Sequence, residues 1–146
     1  MSNKAKAINI INTLKKQGYQ AYLVGGCVRD MLLGQEVKDY DITTNATPEQ
    51  IAKTFGNTVT CGNNFLVSLV DGIEVATYRL DKTDKAIQAK TLEDDLIRRD
   101  FTINALVMDT SNNVLDIVGG KQDLINRTLR FIGNPKKRII EDPVRI

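Results

Sequence analysis

The chain has 146 residues, 42% of them hydrophobic, which suits one ordinary domain with its own core. Twenty basic and 18 acidic residues leave a formal charge of +2, so a polyanion must be met by a local patch rather than by the whole surface. No histidine is present, which excludes Ser-His-Asp and Cys-His catalysis and imidazole-built zinc sites and leaves any metal work to carboxylates.

The opening "MSNKAKAINIINTLKKQG" has helical spacing rather than a signal's continuous apolar core, and no run is long enough to span a bilayer. A soluble, cytoplasmic protein is expected. Ile8, Ile11 and Leu14 define a first helix ended by Gly18. "AYLV" reads as a strand running into Gly25 and Gly26, after which "VRDMLLG" opens a helix that closes at Gly34. The two cysteines, Cys27 and Cys61, form no C-x-x-C pair and are expected to be buried free thiols. "DYDIT" makes a second strand, and "TPEQIAKTF" a helix with Thr47 as cap, Pro48 in its first position and Glu49 at the positive end of the dipole.

"FLVSLVDGIEVATYRL" is a hairpin turning at Asp71-Gly72. "DKTDKAIQAK" lacks β-branched periodicity and is expected to be a loop. "TLEDDLIRRDFTINALVMD" follows as helix, with Thr91 and Asp94 resembling a capping box. "NVLDI", "GG", "KQDLINR" and "TLRFIG" read as strand, turn, short helix and strand. "NPKKRIIEDPVRI" begins helices, with Asp142 as a cap before Pro143. A last helix of one turn is not stable alone, so residue 146 is expected to be a boundary within a longer protein.

Asp39 and Asp41 stand two apart on the expected strand, so their side chains leave one face with Cα atoms roughly 6.5–7 Å apart. They are a pair for one hard cation such as Mg²⁺, or two solvated acids at a strand end. The two-residue turn pairs Leu69 with Glu74, which puts Glu74 on the face of Phe65, Val67, Ala76 and Tyr78. There it either meets a metal or basic partner, or that face is partly open and it reaches water. Strand, Gly25-Gly26, helix is a phosphate-cradle order, to which Arg29 adds a guanidinium fork, though a Gly-Gly pair is also a common turn. Asp30 is a local partner for a basic residue. Arg98 and Arg99 point about 100° apart on a helix, so both are not expected at one point. One grips phosphate while the other contacts carboxylates or solvent, or both are surface groups paired with Asp94 or Asp95. "PKKR" reads as a solvated basic turn, or as an RNA-backbone contact.

Taken in order, "VGGCVRD", "DYDIT", "EVATYR", "RRDFTINAL", "DIVGG" and "EDPVRI" resemble the catalytic head of class II tRNA nucleotidyltransferases, the CCA-adding enzymes, and of their bacterial poly(A) polymerase relatives. The resemblance runs from about Tyr22 to the last residue. It implies an α+β fold, a polymerase beta-like nucleotidyltransferase head with a mixed, mostly antiparallel sheet flanked by helices. It also implies transfer of CMP or AMP from CTP or ATP to a tRNA 3′ end with Mg²⁺. By position it makes Asp39 and Asp41 the metal ligands and Glu74 a third acid. Gly25, Gly26 and Arg29 become nucleotide contacts, Arg99 a triphosphate contact, and Arg98, Asp100 and Asn104 members of a ribose-checking segment. Asp142 and Arg145 belong to the motif that joins head to neck. Residues 1–140 are then the head and 141–146 the start of a truncated neck helix, with the base-reading residues lying beyond.

This sequence departs from the family in lacking the "DYRRP"-like insert before "RRDFT" that many CCA-adding enzymes carry, so a loop aiding the switch from C to A is expected to be reduced. The alternatives are a poly(A) polymerase and a non-catalytic nucleotide- or RNA-binding module. A small-molecule or protein acceptor fits poorly with "RRDFTINAL" and "EDPVR" together.

Overall fold

A computed structural model describes residues 1–56, 59–62, 66–82 and 85–133. Helix α1 (Asn3–Lys16) starts where the Ser2 hydroxyl accepts the Ala5 N–H at 3.2 Å. It buries Ala7, Ile10, Ile11 and Leu14, while Ile8 lies half-buried at the edge of that stripe. Gly18, at φ +90°, reverses the chain just past its end. Strand β1 (Ala21–Val24) follows, and helix α2 (Gly26–Leu32) begins at the second glycine, two residues before the expected opening. Strand β2 (Asp41–Thr44) leads to helix α3 (Pro48–Phe55), closed at its start by a full capping box between Thr47 and Gln50.

Strands β3 (Val59–Gly62), β4 (Val67–Val70) and β5 (Ile73–Thr77) continue the main sheet. Asp71 and Gly72 both take positive φ, 52° and 81°, as a two-residue turn of the hairpin-matching hand requires, and Val70 pairs with Ile73 and Leu69 with Glu74 as expected. The sheet is completed by β8 (Val107–Met108) and β9 (Val114–Leu115) in the order β3-β4-β5-β2-β1-β8-β9. Only β2 with β5 is parallel. The mixed, mostly antiparallel α+β architecture expected from the sequence is the one observed.

Three local expectations fail. The polar segment around 81–90 is not a loop: β6 (Arg79–Lys82) and β7 (Lys85–Gln88) pair as a separate two-stranded ribbon. Backbone pairing there needs no apolar alternation, so periodicity gave no signal. The run from 91 to 109 is not one helix. Helix α4 (Leu92–Ile97), capped by Thr91, stops early, and a short 3-10 helix (Thr102–Asn104) follows before β8. The reason is tertiary: Thr102 N–H donates to the Arg130 carbonyl and Ile132 N–H to the Asp100 carbonyl, so residues 100–102 give their backbone bonds to 130–132. That pairing also reduces "TLRFIG" from an expected strand to a single bridge, Phe101 with Phe131, whose rings stack at 4.7 Å. The tail from residue 134 onward, including "PKKR", Asp142 and Arg145, lies outside the described residues, as do Phe65 and the side chain of Cys61.

The sheet separates two cores. Ala21, Leu23, Ile42, Ile73, Val75 and Met108 face α1 and α3 in one apolar cluster. Val24 and Val107 face a second, with Leu92, Leu96, Ala105 and Tyr78. Behind the 3-10 helix, helix α5 (Gly120–Ile125) is set by Asp116, whose carboxylate accepts the backbone N–H groups of Val118, Gly119, Gly120 and Lys121 at 2.9–3.2 Å. Gly120 then lies so close to the Thr102 carbonyl that a Cβ would overlap it, and Asp123 accepts the Thr102 hydroxyl at 2.6 Å.

This contact gives a test of how the 102–104 turn is supported. Gly120→Ala is expected to lower stability by about 3 kcal/mol or more, the upper end for overpacking, because the atom its Cβ would meet belongs to the backbone. Gly18→Ala, where nothing lies within 4 Å, should cost only about 1–2 kcal/mol of backbone strain. Urea unfolding followed by circular dichroism separates the two, and equal losses would remove the close-packing account.

Candidate active site

Asp41 opens β2 and pairs in parallel register with Glu74 of β5, so the two carboxylates leave the same face of the sheet side by side. Asp39 is not on the strand as expected; β2 starts at Asp41. Continuing the register would set Asp39 level with Gly72, which is committed to the hairpin turn, so no partner exists for it there. Asp39 nevertheless lines the same cleft of about 370 Å³ as Asp41, Glu74, Tyr40 and Leu69. Glu74 is exposed and Asp41 half-buried, so of the two readings of Glu74 the open face holds.

The acids repel one another. Burial raises the Asp41 pKa above its ordinary 3.8, Glu74 and then Asp39 raise it further, and Arg99 opposes them. Cys27, in the first turn of α2, donates its thiol to the Val24 carbonyl at 3.3 Å and lies 4.0 Å from the Asp41 carbonyl. Burial pushes this thiol's pKa up, which makes it a packing group, as expected of a free buried cysteine.

The glycine turn forms the next wall. Gly25 adopts φ +80°, ψ −137°, a conformation for glycine, and its N–H donates to the Leu106 carbonyl. A Cβ on Gly25 would meet the Arg99 guanidinium at 3.5 Å, and one on Gly26 would meet that of Arg29 at 3.3 Å. Two arginines thus lie over the turn, and it is the positive φ of Gly25, more than lack of room, that calls for glycine there. Arg29 donates to Asp30 and to the Asn104 side-chain oxygen, each at 3.0 Å, which joins the "GGCVRD" and "RRDFTIN" segments directly.

Arg98 and Arg99 both pair with Asp95, one of the two partners expected, but the pair is largely buried rather than at the surface, and the two arginines are not aimed at separate points. Arg98 donates to one oxygen of Asp95 at 3.3 Å and Arg99 to the other at 3.5 Å. Residues three and four beyond Asp95 flank it on a helix, so the 100° between Arg98 and Arg99 still lets both reach the one carboxylate. Burial and the neighbouring Arg98 lower the Arg99 pKa, while Asp95 and Asp41 support its charge. Its buried Nε has no hydrogen-bond partner among the described residues.

Gly25, Gly26, Arg29, Arg99 and Asn104 thus converge, with Asp41 within electrostatic reach of Arg99. Asp100 stands apart, its carboxylate accepting the Phe101 N–H at 2.7 Å. Asp95 was missed as a site residue. Its spacing of three and four from Arg98 and Arg99 was the available signal, since such pairs meet on a helix.

The family model of the poly A polymerase head domain matches residues 21–130. The chain belongs to this family. Among similar head domains, the CCA-adding enzyme of Bacillus pumilus (strain SAFR-032) is 42% identical over 151 residues, covering 96% of this chain and 38% of that enzyme. Poly(A) polymerase I of Salmonella typhi is 43% identical over 162 residues, covering 96% of this chain and 35% of that one. The crystal structure of the Bacillus stearothermophilus CCA-adding enzyme in complex with CTP superposes with a TM-score of 0.86 at 39% identity, covering 99% of this chain and 37% of that one. The chain therefore spans under two fifths of the length of each of these proteins. Among the described residues no helix is long and apolar enough to cross a membrane.

The crowding of acids in this head domain has a consequence for stability. A carboxyl whose folded pKa is raised adds stability that is full below its unfolded value and is lost as pH rises through the folded one. Asp41→Asn, which cannot ionise, should therefore raise the melting temperature at pH 7 without divalent cation or nucleotide. The gain should vanish below about pH 4, near the unfolded carboxylate pKa. A pH series of thermal melts checks this, and a gain that persists at pH 3 would show that repulsion is not its cause.

Proposed function

We propose that this chain is the catalytic head of a template-independent nucleotidyltransferase that moves CMP and AMP from CTP and ATP to the 3′ hydroxyl of tRNA, releasing pyrophosphate. One observation carries the reading: the Asp41–Glu74 pair and the Gly25–Gly26 turn with Arg99 and Arg29 form adjoining walls on one face of the sheet. An anionic wall beside a cationic one suits a triphosphate that arrives with a divalent cation.

Asp39 and Asp41 would hold that cation, for which Mg²⁺ is the hard, oxygen-preferring choice, and Glu74 lies beside them as a third acid. Among the described residues no group of three acids or thiols is placed to hold an ion by itself, so the remaining ligands would have to come from water and phosphate oxygens. Oxygen-only donors, and an Asp41 carboxylate raised in pKa by burial and then by Glu74 and Asp39, both suit a positive occupant. When bound, the cation supplies charge neutralisation at the reacting phosphate and favours in-line displacement. The glycine turn lets the phosphate chain approach the backbone, and Arg99 and Arg29 neutralise the departing pyrophosphate. Arg98 shares Asp95 with Arg99. Asn104, held by Arg29, would check the ribose, with Asp100 in the same segment. Asp142 and Arg145, outside the described residues, would by their position in the "EDPVRI" motif add further nucleotide contacts.

A poly(A) polymerase is the second reading, favoured by the near-equal identity to both kinds of relative, 42% and 43%. Both use the same head chemistry, so the choice of base separates them.

Incubation with Mg²⁺, labelled CTP or ATP, and tRNA lacking its terminal CCA tests the proposal. Transfer is expected, and Asp39→Ala, Asp41→Ala should lower it by about 10³-fold, matching several kcal/mol of metal-assisted stabilisation. With the downstream chain that reads the base added, use of ATP alone would favour the poly(A) reading. Identical behaviour of the double variant would end the catalytic assignment and leave a nucleotide-binding module.

A further inference from the structure

Asp95 lies on α4 with no exposed surface, an environment that carboxylates occupy only when fully paired. Its pairing is complete. One oxygen accepts the Arg79 backbone N–H at 3.0 Å and the Arg98 Nε at 3.3 Å. The other accepts the Thr43 hydroxyl at 3.4 Å and the Arg99 Nη2 at 3.5 Å. These donors come from the start of β6, the segment after α4, and β2. Thr43 stands two residues beyond Asp41 on β2, so both side chains leave the same face of that strand.

One buried carboxylate therefore ties the arginine that closes on the glycine turn to the strand that carries the acid pair. Through Asp95, the Arg99 guanidinium is held by its Nη2, while Nη1 lies against Gly25 and the buried Nε has no partner among the described residues. The Nη1 end, which faces the glycine turn, is thus the part of the fixed guanidinium left for a ligand's oxygens, the Nε being closed off from solvent. Without Asp95, Arg98 and Arg99 would be two like charges close together in a desolvated place, each better satisfied by turning outward.

We propose that Asp95 is a positioning residue that aims Arg99 at the β- and γ-phosphates of a bound nucleoside triphosphate and fixes its distance from the acid pair. The proposal rests on the nucleotidyltransferase reading above. It concerns an arginine contact beyond the α-phosphate, so its signature is a preference for triphosphate over monophosphate rather than overall affinity.

Calorimetric titration of the chain with CTP and with CMP, both with Mg²⁺, reads that preference, and thermal melts report folding. Wild type should bind CTP more tightly than CMP. Asp95→Asn, which keeps the shape, can still accept the Arg79 N–H on its one oxygen and turn its NH2 to donate to the Thr43 hydroxyl, should weaken CTP about tenfold, the value of one well-placed charged contact, and leave CMP unchanged. A merely structural role would weaken both alike. Equal weakening, an unchanged CTP affinity or a tighter one would overturn the positioning role. Should Asp95→Asn fail to fold, Thr43→Val decides. It removes one donor from the oxygen that holds Arg99 and should lower the CTP preference by about threefold, a fraction of a hydrogen bond's worth, whereas a wild-type preference would overturn the role. If wild type binds CTP no better than CMP, the nucleotidyltransferase reading itself falls, and the positioning role with it.

Discussion

The parallel pairing of β2 with β5 is the constraint on which the site depends. The register that sets Asp41 beside Glu74 also sets Ile42 beside Val75 on the opposite face, where both are fully buried. A slip of one residue would put the acids into the core and the aliphatic side chains into the cleft. Each such side chain contributes roughly 1.5–3 kcal/mol by its burial, which outweighs repulsion between two carboxylates near solvent. Hydrophobic packing thus holds together two charges that would separate if free, and the Asp41 pKa is raised first by burial and then by the nearby Glu74. A site that destabilises its own fold in this way is common where function needs charge in one place.

The cationic wall is held by a different means. Arg99 is kept in place, beside the glycine turn, by ion pairing with a buried acid. The same sheet face carries apolar cover at its β1 and β8 end and is open at β4 and β5, where Leu69 and Glu74 are exposed. The cleft forms at this edge between covered and open sheet. Behind it, Asp116 and Gly120 fix α5 against Thr102, and so support the segment from which Asn104 reaches Arg29.

Much of this was legible one residue at a time. Thr47-Pro48, the Asp71-Gly72 turn and the stripe of α1 are local devices whose physics operates within a few residues, and each is observed. The run after Thr91 was not legible. Its helical periodicity was real, but residues 100–102 find better backbone partners in 130–132, almost thirty residues away. The β6–β7 ribbon was missed for the opposite reason, since pairing through the backbone leaves no mark in apolar spacing. Asp39 was placed on a strand because "DYDIT" alternates, while the position of the neighbouring turn decided where pairing could begin.

What the amino-acid order determined by itself was the inventory and its local grammar: no histidine, acids two apart, glycines before a helix, and the motif order that resembles the family. Only the tertiary structure decided which of these meet. Asp41 and Glu74 are 33 positions apart and Arg29 and Asn104 are 75 apart, and nothing in the spacing specifies either encounter. The same holds for Asp95, which reads as one acid in an exposed helical run and becomes a buried counter-charge for two arginines once α4 is laid over β2. Local propensities act within a turn or two, whereas charge and burial act through space, and space is set by the fold.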